Sequence, residues 1–395
     1  MELTPATPAY LRRVNAAAVL AAMRTDTVLT GTALIAATGL TRATVMAVCD
    51  ELLTAGWILE LESVRNTPGK GRPARCFELN ADAGAVLGLD LGARTTTAVV
   101  VDLRGAVRGR AVVPSPMVDL PAAERVDLVS GTSLAALTAA GMEPQQVLAV
   151  GIGVPAPIDR NGNIHAGPPF WALFDVGLRE ALKERHGWNV FLENDANLAA
   201  LAERWCGTAR GVDDLAVLLA GERIGAGLMD SGRLLHGNAG SAGEMDLLKM
   251  VEGVGSADGI AAVARRWGQQ AVDGGGAPVL AALAAGGPVG AELVFAAAHD
   301  GDPVSLALLD RLAERMARVI AALGSLANPE LVVIAGAVAP SAAALLAGIE
   351  ERLPSLTVAP PRVAVSTLGT DVVAMGAARH ALDYVEAQAP ELELN

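Results

Sequence analysis

Three adjacent polar side chains, Glu193, Asn194 and Asp195, stand in Leu192-Glu193-Asn194-Asp195-Ala196-Asn197, ahead of a helical segment that runs to about Trp205. Polar side chains at a helix start ordinarily cap free backbone N–H groups, and spacing alone favours that use. A carboxylate there can also take the proton from a sugar hydroxyl as a general base, with Asn194 and Glu244 gripping neighbouring hydroxyls. A second polar turn, Asp90-Leu91-Gly92-Ala93-Arg94-Thr95, joins two strand-like runs. Gly92 would let backbone N–H groups approach a phosphate and Asp90 would hold a hydrated Mg²⁺, although the same residues also make a plain hairpin. A third group is Thr41, Arg42 and Thr44. Its guanidinium can read guanine, and its hydroxyls can meet a base or a phosphate.

The elements that would position these groups emerge from apolar spacing. Between Leu29 and Ile58, the residues Leu34, Ile35, Leu40, Val45, Val48, Leu52 and Leu53 predict two short helices closing on a shared core. Thr30 caps the first, Gly39 ends it, Thr41 caps the second and Gly56 stops it. This is either a helical hairpin in a core or a helix-turn-helix, whose second helix enters the major groove. The adjoining segment favours the latter. Glu60–Asn80 reads as two strands around a Gly- and Pro-rich tip carrying Arg65, Lys70, Arg72 and Arg75, the composition of a wing that tracks phosphates or the minor groove. Ahead of it, Tyr10–Arg24 reads as a helix with Leu11, Val14, Ala18 and Ala22 on one side, packing beneath the reader or pairing two subunits.

After Ala81–Gly84 the pattern changes to α/β layers. Val86–Val113 gives three strands with tight turns, Glu124–Ala140 a helix and Val147–Val154 a buried strand. Asp213–Leu235 repeats the strand, Gly-rich turn, strand theme, which predicts an internally duplicated, two-lobed domain. Leu306–Ala327 and Asp371–Ala387 read as helices, and Leu331–Ala335 and Val363–Ser366 as strands.

A chain of 395 residues calls for two or three domains. Three isolated cysteines, Cys49, Cys76 and Cys206, argue for a reduced, cytoplasmic setting and against a disulfide framework. The net charge of −13 divides unevenly: residues 1–80 hold 8 basic and 7 acidic side chains, the remainder 22 and 36. A nearly neutral reader on an acidic body binds DNA weakly as a single copy, so a dimer facing two half-sites is expected. No secretory signal is evident, since the apolar run Ala16–Met23 is short. The uncharged stretch Leu331–Ile349 is broken by Pro340 and Ser341, so no membrane span is expected.

Taken together, LRRVNAAAVL (11–20), TGLTRATV (38–45), GKGRPARCFELN (69–80), GLDLGARTTTAVVVDLRG (88–105), GIGVPAPID (151–159), ENDANLAALAE (193–203), GAGLMDSGRLLHGNAGSAGE (225–244) and MGAAR (375–379) carry a resemblance to the ROK (repressor, open reading frame, kinase) family, in its branch with an N-terminal winged helix. The resemblance spans nearly the whole chain. It implies an α/β fold in which a winged helix-turn-helix (1–80) precedes a two-lobed, actin-like, ribonuclease H-like ATPase-type sugar-binding domain. The first lobe is 81–190, with helix 371–387 returning to it, and the second is 191–370. It also implies a sugar or sugar phosphate bound at Asn194, Asp195 and Glu244, with Asp195 on the catalytic base of the kinases and Asp90 and Gly92 on the first phosphate-binding turn.

The departures are equally specific. After Gly243-Glu244 the family's zinc-binding, sugar-holding histidine is replaced by Leu247, and VEGVGSADG (251–259) stands where its three zinc cysteines belong. The five histidines are scattered, so the zinc site is expected to be lost. The second phosphate turn reads Gly221-Glu222-Arg223-Ile224-Gly225 in place of Gly-Thr-Gly, setting a repulsive Glu toward a triphosphate and leaving Gly225 as a remnant. The later glycine pair is thinned to Ala335-Gly336-Ala337.

The sequence therefore reads as a cytoplasmic, dimeric or higher-order repressor that binds double-stranded operator DNA through Thr41, Arg42, Thr44, Arg65, Lys70 and Arg72, and a sugar through Asn194, Asp195 and Glu244. Kinase activity is expected to be lost; no cofactor is expected, neither zinc nor Mg·ATP. The alternatives are a glucokinase-like ATP-dependent sugar kinase with an attached reader, using Asp195 as base, and a regulator that answers a protein partner.

Overall fold

The computed structural model describes residues 7–25, 28–61, 74–165, 167–392 and 394. It divides into two compact units. The first comprises Met1–Ile152, Asp175–Leu192 and Ala377–Asn395, and the second Gly153–Phe174 and Glu193–Gly376.

The chain opens with α1 (Pro8–Thr25), β1 (Leu29–Thr30), α2 (Gly31–Thr38), α3 (Arg42–Thr54), β2 (Ile58–Leu61) and β3 (Cys76–Leu79). The caps are those expected from the residue types. Thr30 accepts from the Ala33 N–H and Thr41 from the Thr44 N–H, while Gly39 takes the left-handed conformation (φ 70°) whose N–H closes α2 onto the Ile35 carbonyl. The chain bends by 112° between α2 and α3. Leu34, Val45, Val48, Cys49 and Leu52 bury the inner faces of the two helices. β3 pairs antiparallel with both β1 and β2, in the order β1-β3-β2, so a short third strand joins the two the sequence predicts.

The inward face of α1 differs from expectation. Ala16, Val19, Leu20 and Met23 are buried, whereas Leu11 and Val14 are 50% and 45% exposed. Positions 16, 19, 20 and 23 keep the 3.6-residue period as a stripe offset from the predicted one. Arg75 also departs from its expected place in a basic tip. Its guanidinium is bonded to Glu60 at 2.7 and 2.8 Å and to Asp50 at 2.8 Å, and it lies over the Phe77 ring, which fastens the strand ends to α3.

The rest of the first unit is a sheet of β4 (Ala85–Leu91), β5 (Thr95–Asp102), β6 (Val107–Pro114), β7 (Val147–Val154) and β8 (Val190–Asn194), in the order β6-β5-β4-β7-β8. Helix α4 (Ala122–Ala140) packs on it. Helix α6 (Leu178–His186) precedes β8, while α5 (Pro169–Ala172) lies in the stretch 153–174 that belongs to the second unit.

The second unit repeats the plan. After α7 (Asp195–Cys206) come β9 (Leu215–Leu219), β10 (Gly225–Asp230) and β11 (Arg233–Leu234), then α8 (Ile260–Asp273), α9 (Pro278–Ala284), α10 (Ala291–His299) and α11 (Pro303–Ala327). β12 (Leu331–Ala335), α12 (Ala339–Ala342), α13 (Leu346–Leu356) and β13 (Arg362–Val365) complete it, and α14 (Val372–Gln388) starts in it and passes into the first unit at Ala377. Its sheet order, β11-β10-β9-β12-β13, is the order of the first sheet with each strand replaced by its counterpart. The β9–β10 and β10–β11 pairs are antiparallel, while β12 pairs parallel with β9 and β13, so the sheet is mixed.

The units divide the chain differently from the sequence boundaries. Residues 153–174 join the second unit, where the Asn194 side chain donates to the Ala156 carbonyl at 3.2 Å. Most of α14, from Ala377 on, belongs to the first, where Leu382, Val385 and Glu386 border a small apolar gap with Leu20, Trp57, Leu79 and Leu103. Glu386 pairs there with Arg24, and Arg104 reaches back to Glu78 at 3.3 Å. Among the described residues no single helix is long and apolar enough to cross a membrane.

Trp57 is 1% exposed where α1, β3 and α14 converge. Trp57→Ala is expected to cost about 3–5 kcal/mol, measured as a fall in the unfolding free energy in urea. A loss below about 1 kcal/mol would show that this junction is loosely packed.

Candidate functional site

A cavity of ≈ 290 Å³ opens within the second unit. Its walls are Pro155, Pro168, Phe170, Trp171, Asn194, Asp195, Leu219, Arg223, Ile224, Gly225, Glu244 and Asp246. Of the residues the sequence offered for a sugar, Asn194, Asp195 and Glu244 all line it, together with Gly225.

The start of α7 sets the first wall. Asn194 is the N-cap: its Oδ1 accepts from the Ala196 and Asn197 N–H groups at 3.0 and 3.2 Å. The capping reading is therefore realised in Asn194, and the same side chain still faces the cavity. The next residue, Asp195, accepts from the Ala196 N–H at 2.8 Å. Burial pushes its carboxyl up to about 7, the Ala196 N–H pulls the other way, and the nearby Glu244 carboxylate adds a further push. An acid titrating near 7 is matched to accepting a proton at neutral pH.

Beside it is Glu193, a buried residue that the sequence offered only as one of three polar side chains at the helix start. Burial acts to raise its carboxyl, but bonds from His236 (2.8 Å), the Asn197 amide (3.0 Å) and the Asn194 N–H (2.8 Å) together hold it below its usual value. His236 is raised in turn, first by the bond to Glu193. This hydrogen bond pins the segment leading to Glu244 onto the start of α7.

Two glycines permit the close packing. A Cβ on Gly227 in β10 would meet the Ala196 carbonyl at 2.0 Å, so α7 lies against the sheet through bare backbone. Gly243 has φ +87° and a Cβ there would meet the Ala226 carbonyl at 1.8 Å, which fixes the turn before Glu244. The Glu244 carboxyl is raised, chiefly by burial and then by Asp246.

Glu222 does not stand free toward the cavity as its place in the turn suggests. Its carboxylate is tied to Arg265 of α8 at 2.6 and 2.9 Å, which offsets its charge. Arg223 lines the cavity instead and bonds Asp246 at 2.9 Å. The aromatic pair Phe170 and Trp171 also lines the cavity without having been expected there, although PPFW (168–171) was a visible signal in a chain only 3% aromatic.

Asp90 and Gly92 belong to the first unit, at the end of β4 and in the turn to β5, where the Gly92 N–H closes on the Thr95 carbonyl at 3.0 Å. At the start of α3, Thr41 and Arg42 are exposed and Thr44 is half-buried; the two threonine hydroxyls bond each other at 2.9 Å. Arg65, Lys70 and Arg72 lie outside the described residues.

The sequence profile of the ROK family matches residues 86–383. The glucokinase of Thermotoga maritima is 34% identical over 251 residues, 58% of this chain and 77% of that protein. The xylose repressor of Caldicellulosiruptor bescii is 27% identical over 235 residues, 60% of this chain and 58% of the repressor. Among solved structures, a ROK family glucokinase from Streptomyces griseus, in complex with glucose and AMPPNP, has 26% identity and a TM-score of 0.65, covering 75% of this chain and 99% of its own. A ROK family transcriptional regulator, a homolog of the E. coli MLC protein, shares the fold with a TM-score of 0.72 at 22% identity, covering 96% of this chain and 99% of its own.

The raised Asp195 carboxyl carries a stability signature. The native state keeps this proton up to about pH 7, while the unfolded chain releases it near pH 3.9. Between those values the native state binds more protons, so the group's contribution to stability falls as pH rises through the window. Asp195→Asn is expected to gain about 1–3 kcal/mol over the parent at pH 8, and the gain should vanish toward pH 4. Denaturant unfolding at the two pH values checks this; a difference independent of pH would show that Asp195 titrates normally.

Proposed function

The chain belongs to the ROK family, and on that footing we propose that it is a sugar-responsive regulator of transcription, acting as a repressor. Its N-terminal elements would form a winged helix-turn-helix on operator DNA, and the cavity at Asp195 would hold the effector sugar. The observation that carries this reading is the start of α3, where Thr41 and Arg42 stand exposed after a left-handed Gly39 turn and a 112° bend. That is how a recognition helix offers its first residues to base edges. The paired strands β2 and β3 flank residues 62–73, whose Arg65, Lys70 and Arg72 would serve the wing. Likeness to the regulator fold over 96% of the chain, and to xylose repressors in sequence, supports the assignment.

For the effector, Asn194, Asp195 and Glu244 supply acceptors for hydroxyl groups, and Trp171 and Phe170 an apolar face for a sugar ring. Three carboxylates, Asp195, Glu244 and Asp246, face one guanidinium that already pairs with Asp246. That balance favours a neutral sugar over a sugar phosphate. Two copies of the reader, in a homodimer, would meet two half-sites, and the sugar would act by binding the two states of the protein unequally.

A second reading, an ATP-dependent sugar kinase with an attached reader, is favoured by Asp195. An acid at about 7 is suited to take the proton of a sugar hydroxyl during phosphoryl transfer, and the T. maritima relative is named a glucokinase. Arg223 and Ile224 in place of the small residues of a phosphate turn weigh against it.

The test is anisotropy of DNA flanking the protein's own gene, with and without neutral and phosphorylated sugars. Saturable binding that weakens steeply with salt and is released by a neutral sugar is expected. Arg42→Ala should weaken the correct site by about 1–3 kcal/mol. Binding that ignores salt and Arg42 would remove the reader. Sugar-dependent ADP release abolished by Asp195→Asn would establish the kinase reading.

A further inference from the structure

The segment Val251–Gly259 comes after the Glu244 turn and occupies the place where membership of the family leads one to look for zinc-binding cysteines. Its side chains do not fit a zinc ion. It holds no cysteine or histidine, Leu247 ahead of it is 69% exposed, and no cluster of three metal-ligating side chains occurs among the described residues. A guanidinium meets the segment instead. Arg315, on α11 and only 2% exposed, donates from Nε to the Val254 carbonyl at 3.1 Å and from Nη2 to the Ser256 and Asp258 carbonyls at 2.7 and 2.8 Å. One turn further along α11, Arg318 reaches the Glu252 carbonyl at 3.3 Å.

We propose that Arg315 is a positioning residue that takes the place of a loop metal: its buried cation gathers three carbonyls of residues 254–258 and thereby sets the wall of the Asp195 cavity. The path to the wall is main chain throughout. The Ile224 N–H donates to the Ala257 carbonyl at 2.8 Å, the Gly259 N–H to the Glu222 carbonyl at 2.8 Å, and the Ile260 N–H to the Ala220 carbonyl at 2.6 Å. Ile224 and Gly225 line the cavity, so any shift of 254–258 is passed to them directly.

A buried charge surrounded by carbonyl dipoles is held as a cation is held in an oxygen cage, and the planar fork of arginine reaches several acceptors from one side chain. Lysine carries the same charge as a compact point without the planar fork, and satisfies fewer of them. The Arg266–Asp258 ion pair secures the outer end of the segment and leaves the inner carbonyls to Arg315.

The test is amide hydrogen exchange on the full-length protein, for the parent, Arg315→Lys and Arg315→Met, each with and without EDTA. In Arg315→Met the Ile224 and Gly259 amides should lose protection by roughly tenfold or more, while those of β12 keep theirs. Arg315→Lys should fall between parent and Met, and EDTA should change nothing in the parent. Loss of parental protection on chelation would overturn the proposal, as would unchanged protection in Arg315→Met. Uniform loss across β12 in both variants would make Arg315 an ordinary core residue and would overturn it too. These readouts are separate from DNA binding, so the regulator reading stands or falls independently.

Discussion

The contact on which the site depends is backbone against backbone, where the first turn of α7 lies on β10. Gly227 has no side chain, and any Cβ there would drive into the Ala196 carbonyl. Helix and sheet therefore come close enough for Asp195, the first residue of α7, to be both desolvated and open to a cavity. That closeness underlies the chemistry of the site. A carboxyl set back by the width of a methyl group would see more water and titrate as an ordinary aspartate.

Around this contact the second unit arranges its charges in pairs. Glu193 is buried but answered by His236, Glu222 by Arg265, Asp246 by Arg223 and Asp258 by Arg266. Asp195 and Glu244 are left as carboxyls raised by burial, and these two face the cavity. An unpaired buried carboxyl is expensive for folding. Perturbed carboxyls that line a cavity are the kind of group functional sites hold.

The first unit joins elements far apart in sequence. Leu20 of α1, Trp57 and Leu79 meet Leu382 and Val385 of α14, and Arg24 pairs with Glu386. Helix α1, together with Trp57 and Leu79, is thus packed on α14.

Much of this was determined by sequence alone. The caps Thr30, Gly39 and Thr41, the three strands after Ala85, the strand Val147–Val154 and the capping role of Asn194 are local signals, because capping, turn chemistry and apolar period act within a few residues, whereas Glu244 is joined to Asn194 and Asp195 through the family resemblance. Tertiary structure decided the rest. It turned α1 so that Leu11 and Val14 face outward, drew residues 153–174 into the second unit, directed Glu222 onto Arg265 and buried Arg315 beneath the loop at 254–258. In each case the partner lies tens of residues away or more. The direction of a charged or half-apolar side chain depends on which distant surface meets it, and a sequence pattern of short period carries no record of that meeting.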